Sequence, residues 1–271
     1  MDNDNRIELL ENFGIEVSKN DIIKNYITHK NHENEFLRRF FKYQLSELII
    51  ELNNIKKHDI KYFERYVKNI NSSSGCINFW GEKFELYFHL KLLQGLPVLF
   101  NSIRRGKDGR EPDFLISVDN AEIGIELTSL QFEKISTNNF RSIEKIRDKI
   151  IEKNSKCYAS NNCILVINVT NLYSNSVLNS FELEQEIQKF LTDKSNLTND
   201  DLKYGTIHLV KHVFTLNKQN DIEHDFKSFL CILKDVGEIN PQFKKLNNIL
   251  FPYKVEYDDN VIDYEILAPF I

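Results

Sequence analysis

The sequence lacks several features on which large functional classes depend. Positive charge is not in surplus: 35 Lys and Arg face 40 Asp and Glu, for a formal charge of -5. That excludes a protein that coats nucleic acid through bulk basicity, while leaving room for a local cationic patch. Cysteine is scarce, four residues with no CxxC pair. Neither a disulfide framework nor a paired-cysteine zinc site is written here, and reduced, mostly buried thiols in a cytosolic compartment are expected. With 9 Gly and 5 Pro the chain is neither collagen-like nor linker-rich. Apolar runs such as CILVI at 163–167 are far too short for a bilayer. The opening MDNDNRIELL lacks the basic-then-apolar layout of a signal peptide. No internal repeat is visible, which disfavours a solenoid or propeller. The absence of a glycine-rich phosphate loop and of a GxSxG elbow argues against nucleotide hydrolases and serine esterases. A cytoplasmic protein with no membrane partner is the expectation.

What is present is apolar material. The 271 residues are 41% hydrophobic, with 20 Phe and 11 Tyr, enough for a sizeable core and one large domain or a domain with an appended segment. Residues 1–72 read as a helical segment. Between 33 and 57, Phe36, Phe40, Leu45, Leu48, Ile49 and Leu52 recur at amphipathic helix spacing. The polar stretch Asn71-Ser-Ser-Ser-Gly75 breaks that pattern and marks the boundary to an α/β region, 73–271. Residues 80–93 read as a helix with Trp80, Phe84, Tyr87 and Phe88 on its apolar side, closed by Gly95 and Pro97. Three strands are expected at 98–103, 112–118 and 122–130, with Asp119-Asn120 turning between the last two. A helix over 138–156 follows, with Ile143, Ile146 and Ile150 facing the core. The run 164–169 then reads as a strand buried on both faces. A helix at 181–191 and a strand at 206–216 are expected beyond it, and the remainder gives no clear order.

Side chains alternate along a strand. Asp113 and Glu126 therefore fall on one face of two adjacent strands, opposite the apolar triplets Phe114, Ile116, Val118 and Ile123, Ile125, Leu127. Gly124 removes a side chain beside Glu126 and is expected to leave room for an ion or a substrate backbone. Two crowded carboxylates call for a proton or a hard cation, Mg²⁺ or Mn²⁺, with the Leu127 carbonyl as a further oxygen. On this view removing Glu126 relieves repulsion and raises metal-free stability. On the preceding helix Glu82, Glu85 and His89 share a face, and Glu85 is placed to reach the same cation.

Gly81-Glu82-Lys83-Phe84-Glu85, Leu92, Gly95, Glu111-Pro112-Asp113-Phe114 and Ile125-Glu126-Leu127-Thr128, in that order and strand phase, resemble the PD-(D/E)XK nuclease superfamily. The resemblance covers about residues 76–170. It implies an α/β, restriction-endonuclease-like core (αβββαβ): a central mixed sheet flanked by helices, with the helical N-terminal segment and an α/β C-terminal extension added. It also implies a divalent-metal-dependent endonuclease hydrolysing phosphodiester bonds, in DNA rather than RNA, with a role in restriction or phage defence and a homodimer as a compatible state. Glu85 would be the helix carboxylate, and Asp113 and Glu126 the metal ligands. The family pattern has a lysine where this chain has Thr128. Either that cation comes from elsewhere, Lys134, Lys145 and Lys149 being nearest in sequence, or the metal alone suffices, or the fold is a catalytically degenerate module that binds nucleic acid or a protein. Arg104, Arg105, Lys107 and Arg110 lead into the Pro-Asp strand and are expected to hold phosphates. Arg141, Lys145, Lys149 and Lys153 form a stripe interleaved with Glu144, Asp148 and Glu152, read as a salt-bridged surface helix. His208 and His212 read as satisfied polar positions on a half-exposed strand face.

Overall fold

The computed structural model describes residues 5–31, 33–72, 76–95, 102–107, 109–118, 121–130, 139–173, 180–198, 201–217, 219, 221–233 and 241–251. The turn expected at Asp119-Asn120, residues 98–101 of the expected first strand, Ser73 to Gly75, Pro97 and Lys134 lie outside them. Contacts divide the chain into two compact units: Met1–Lys91 with Leu216–Glu223 and Phe270–Ile271, and Leu92–Thr215 with His224–Pro269.

The first unit is helical. It contains α1 (Asn5–Asn12), a 3-10 turn (Val17–Lys19), α2 (Asp21–His29), α3 (Glu35–His58), α4 (Ile60–Ser72) and most of α5 (Cys76–Gly95). The backbone signals are local. Asn34 caps α3 by accepting from the Leu37 N–H at 3.2 Å, and Lys56, Lys57 and His58 fill its last turn, where the helix dipole favours cations. Asp59 then leaves helical geometry, with φ -155, and its carboxylate accepts from the Lys61 and Tyr62 N–H groups. One residue thus ends α3 and starts α4. Phe40, Phe41, Leu45, Leu48, Leu52 and Ile55 bury one stripe of α3; each such side chain contributes about 1.5–3 kcal/mol of transfer free energy.

Glu51 shares that stripe and meets a lysine from another helix. Glu51 of α3 and Lys83 of α5 are buried, and Lys83 pairs with Glu47 and, at 3.3 Å, with Glu51. Burial pulls the Lys83 ammonium down, but the two glutamates more than offset this and its pKa is raised. Burial pushes Glu51 up to about 8, against the opposing pull of Lys83 and with repulsion from Glu47. Lys83 thus bridges two carboxyls, of which Glu51 is the one that burial favours in its protonated form.

The second unit is α/β. Its six-stranded mixed sheet has the order β1 (Ser102–Arg105), β2 (Phe114–Val118), β3 (Ala121–Ser129), β4 (Cys163–Asn168), β5 (Thr206–Leu216) and β6 (Ile222–Leu233). Strands β1, β2 and β3 form an antiparallel meander, and β4 runs parallel to β3 and to β5. The parallel steps need crossovers. These carry α6 (Asn139–Asn154), then α7 (Thr170–Tyr173) and α8 (Ser180–Thr192), while α9 (Pro241–Leu250) follows β6. All six residues of β4 are buried, as a strand with neighbours on both edges and covered faces requires. The expected helices and strands of this region recur within a few residues. The twelve-residue strand β6 carried no sequence expectation: its mixed burial leaves no clean alternation to read.

His208 and His212 of β5 are fully buried, not half-exposed. The Asn247 side-chain Oδ1 lies 2.8 Å from His208 Nε2 and the Ser228 hydroxyl 2.9 Å from Nδ1. Burial draws His208 down to about 4, the Asn247 bond opposing. The imidazole is therefore neutral, with Nε2–H donating to Asn247 and Nδ1 accepting from Ser228. His212 Nδ1 lies 2.7 Å from His224 Nε2.

Candidate active site

Register brings the two strand carboxylates together. Phe114 lies opposite Ile125 and Leu115 opposite Gly124, so Asp113, one residue before Phe114, faces Glu126, one residue after Ile125. The Leu127 N–H donates to Asp113 Oδ2 at 2.7 Å, tying the aspartate to the strand that carries the glutamate. The Arg105 guanidinium lies 4.0 Å from Asp113 Oδ1, its side chain 4% exposed and packed over the Phe114 ring.

Glu126 is 5% exposed along its side chain and is not left to repel its neighbour. Lys153 donates to Glu126 Oε1 at 2.6 Å, and the Tyr158 hydroxyl donates to the same oxygen at 3.0 Å. Burial first, then the Glu126 charge, pushes the Tyr158 phenol well above its ordinary range, so it stays a donor. The expected gain in stability on removing Glu126 is corrected by this geometry: the carboxylate has a cation and a phenol to lose.

Lys153 sits at the end of α6, three residues after Ile150, and so continues the buried stripe of Ile143, Ile146 and Ile150. A clasp from the segment before β5 fixes that helix end. The Asn154 amide donates to the Asp201 carbonyl, its oxygen accepts from the Lys203 N–H at 3.0 Å, and the Tyr204 hydroxyl donates to the Lys153 carbonyl at 3.4 Å. Elsewhere in the stripe Lys149 pairs with Glu152 at 2.6 Å, as expected of a salt-bridged surface.

These groups line a cleft of about 240 Å³. Asp113, Glu126 and Glu111 supply its acidic groups, Arg105, Lys107, Lys153 and Lys156 its basic ones, and Gly106, Gly109, Pro112 and Tyr158 complete it. Gly106 is demanded by close approach: a Cβ there would stand 1.8 Å from the Pro112 carbonyl oxygen. The role expected of Gly124 is corrected. A Cβ there would meet Cys163 Sγ at 2.6 Å and Pro112 Cγ at 2.7 Å, so the missing side chain admits protein packing rather than an ion or substrate.

Of the residues singled out from sequence, Asp113, Glu126, Arg105 and Lys107 meet in this cleft. Thr128 is half-buried on β3, paired in register with Ile167, and is not among the cleft's lining residues. Arg104 and Arg110 also lie outside that lining. Arg104 makes two hydrogen bonds to Glu111 and reaches Glu122 at 3.3 Å; its bonding, with that of the Lys107 N–H, holds the Glu111 carboxyl down at about 2. Glu85 is half-buried on α5 and belongs to the first unit. Among the described residues no three His, Cys, Asp or Glu side chains gather into a metal-binding group. The facing pair Asp113 and Glu126 is still a fit donor set for Mg²⁺ or Mn²⁺, which takes one or two protein carboxylates and completes its shell with water and phosphate. Both hydrogen bonds to Glu126 fall on Oε1, which leaves Oε2 to a cation.

Sequence reasoning did not single out Lys153 for the site, nor Lys156, Tyr158, Asn154 or Tyr204. A signal existed for Lys153 alone: the helical spacing 143, 146, 150, 153 places a lysine where the pattern calls for an apolar residue. Among the described residues no helix is long and apolar enough to cross a membrane. No family model, no curated protein and no solved structure matches this chain.

Proposed function

We propose that the second unit is a phosphodiester-hydrolysing domain of the PD-(D/E)XK, restriction-endonuclease-like kind, acting on DNA with Mg²⁺ or Mn²⁺ held by Asp113 and Glu126. The observation that carries this reading is Lys153. An ammonium reaches the strand carboxylate from α6 at 2.6 Å, in a chain whose strand position 128 is threonine. The order of three antiparallel strands, α6 and a parallel strand within that unit supports the same kinship.

A divalent cation bound there supplies a Lewis acid for the phosphoryl oxygen and a water of lowered pKa. The chain's own groups do the rest. Lys153 offsets the negative charge that accumulates on the phosphoryl oxygens and orients the attacking water. Tyr158 and the Leu127 N–H hold Glu126 and Asp113 in place, and the Arg105 guanidinium lies 4.0 Å from Asp113. Lys107 and Lys156 take neighbouring phosphates. All of these contacts address the sugar-phosphate backbone and carry no base sequence information.

The second reading, a nuclease-like module that binds nucleic acid or a protein without cutting, is favoured by one observation: among the described residues no third side chain joins the pair in a metal-binding group, the cleft's Glu111 being bonded to Arg104. End-labelled single-stranded DNA, duplex DNA and RNA, incubated with Mg²⁺ or Mn²⁺, separate the two. Wild-type protein is expected to cut DNA, and D113N, E126Q and K153M to lose cutting while retaining their fold by circular dichroism. Binding without cutting of any substrate by the wild type would establish the second reading instead.

A further inference from the structure

We propose that Lys153 is the resident counter-ion of this cleft, that a divalent cation at Glu126 Oε2 and the Lys153 ammonium at Oε1 compete for the one carboxylate charge, and that cation and phosphate backbone therefore load together. The inference rests on the proposed reading for the identity of both ligands. Its own content is the coupling between them.

The argument is one of charge. Glu126 is compensated by Lys153 at 2.6 Å, and Asp113 has the Arg105 guanidinium at 4.0 Å. The strand acids therefore do not present a bare double negative charge. Adding a doubly charged cation alone leaves two positive charges uncompensated beside side chains only 4–24% exposed, where water screens poorly. Adding it together with backbone phosphates, each carrying one negative charge, restores the balance.

The groups around the pair suit such an exchange. Lys153 lines the cleft and can turn its ammonium from Glu126 to a phosphate in the same space. Glu126 is not released when this happens, because the Tyr158 hydroxyl holds Oε1 independently. Lys107 and Lys156 line the same cleft, and among the described residues neither ammonium has an ion-pair partner. They draw in the phosphates that Lys153 meets. Coupling of this kind is reciprocal: whatever factor the backbone adds to cation affinity, the cation adds to backbone affinity.

The test is Mn²⁺ binding to the full-length protein, read as free Mn²⁺ by electron paramagnetic resonance, with and without a cleavage-resistant phosphorothioate oligonucleotide. Wild type is expected to bind Mn²⁺ about tenfold or more tightly when the oligonucleotide is present. K153M is expected to bind Mn²⁺ about tenfold more tightly than wild type without it, and to lose most of the enhancement. K153R keeps the charge and is expected to behave as wild type, which guards against a merely structural loss. Equal or weaker Mn²⁺ binding by K153M overturns the proposal. So does the absence of enhancement in wild type, a measurement that stands if K153M does not fold. Enhancement in a protein that hydrolyses none of the unmodified DNA or RNA substrates sustains the coupling and removes the nuclease reading; no Mn²⁺ binding by either protein under any condition overturns both.

Discussion

Replacing Glu126 by Gln separates two views of the acidic pair. If Asp113 and Glu126 merely repel, E126Q raises stability in the absence of metal. The geometry predicts the opposite. Gln keeps an oxygen at the Oε1 position, so both donors retain a partner, but the Lys153 ammonium loses its counter-charge where its side chain is 15% exposed. Net hydrogen bonds to charged groups contribute about 1.5–3 kcal/mol, and leaving a buried partner unpaired costs about 3–5 kcal/mol. Because Lys153 retains some water contact and the amide oxygen still accepts, about 2 kcal/mol is expected. At roughly 2–4 °C per kcal/mol for domains of this size class, the melting temperature falls by about 4–8 °C. The assay is thermal and urea unfolding in EDTA near neutral pH, followed by tryptophan fluorescence and circular dichroism. The double variant E126Q/K153M is expected to lose less than the sum of the two single losses, because the partners share one contact. An E126Q protein at least as stable as wild type, or strictly additive losses, would refute the reasoning.

Other consequences lie farther from the cleft. Glu51 titrates at about 8 in the folded chain against 4.5 as an ordinary glutamate. The folded state thus holds its proton more tightly, and this contribution is full below the ordinary value and lost as pH rises through 8. E51Q should flatten the fall in urea-unfolding free energy between pH 5 and 8 relative to wild type; an unchanged slope would exclude Glu51 as its source. For His208, drawn down to about 4, the sign reverses: its contribution is present above the ordinary value of 6.5 and is lost as pH falls through 4. H208Q should therefore unfold with a shallower acid dependence over that range. G124A introduces a methyl group against Cys163 Sγ and the Pro112 ring, at 2.6 and 2.7 Å, and should cost about 1–3 kcal/mol by denaturant titration. A neutral G124A would mean that the Pro112 loop yields freely.

The sheet was legible because its signals are local. Five consecutive apolar residues, Cys163 to Ile167, announce β4, and the alternation through Ile123, Ile125 and Leu127 sets the phase that turns Glu126 toward Asp113. Paired strands convert that phase into a facing pair without further information. What could not be read was produced by distant parts of the chain meeting. Glu126 finds Lys153 and Tyr158 across 27 and 32 positions, and the helix end that presents Lys153 is clasped by residues a further 47–51 positions on. Charge patterning assigned Lys153 to a solvent stripe, whereas the apolar period of the same helix assigned it to the core. The period was the better guide, since burial is set by the helix face and not by the chemistry of the side chain on it. The same holds for Lys83 and Glu51, polar residues at core spacing that find each other. Gly124 shows the converse. A small residue beside an acid suggested space for a ligand, yet the space belongs to a proline and a cysteine.

The central claim is that an ammonium from α6 serves where strand position 128 offers only a hydroxyl. The most direct test is the single-turnover rate of Mn²⁺-dependent DNA cleavage by wild type and by K153M at saturating protein. Loss of one such positioned charge costs about a hundredfold or more in comparable settings, and a fall of that size in K153M, with the fold intact, is the result expected. Cleavage by K153M at the wild-type rate would contradict the claim outright.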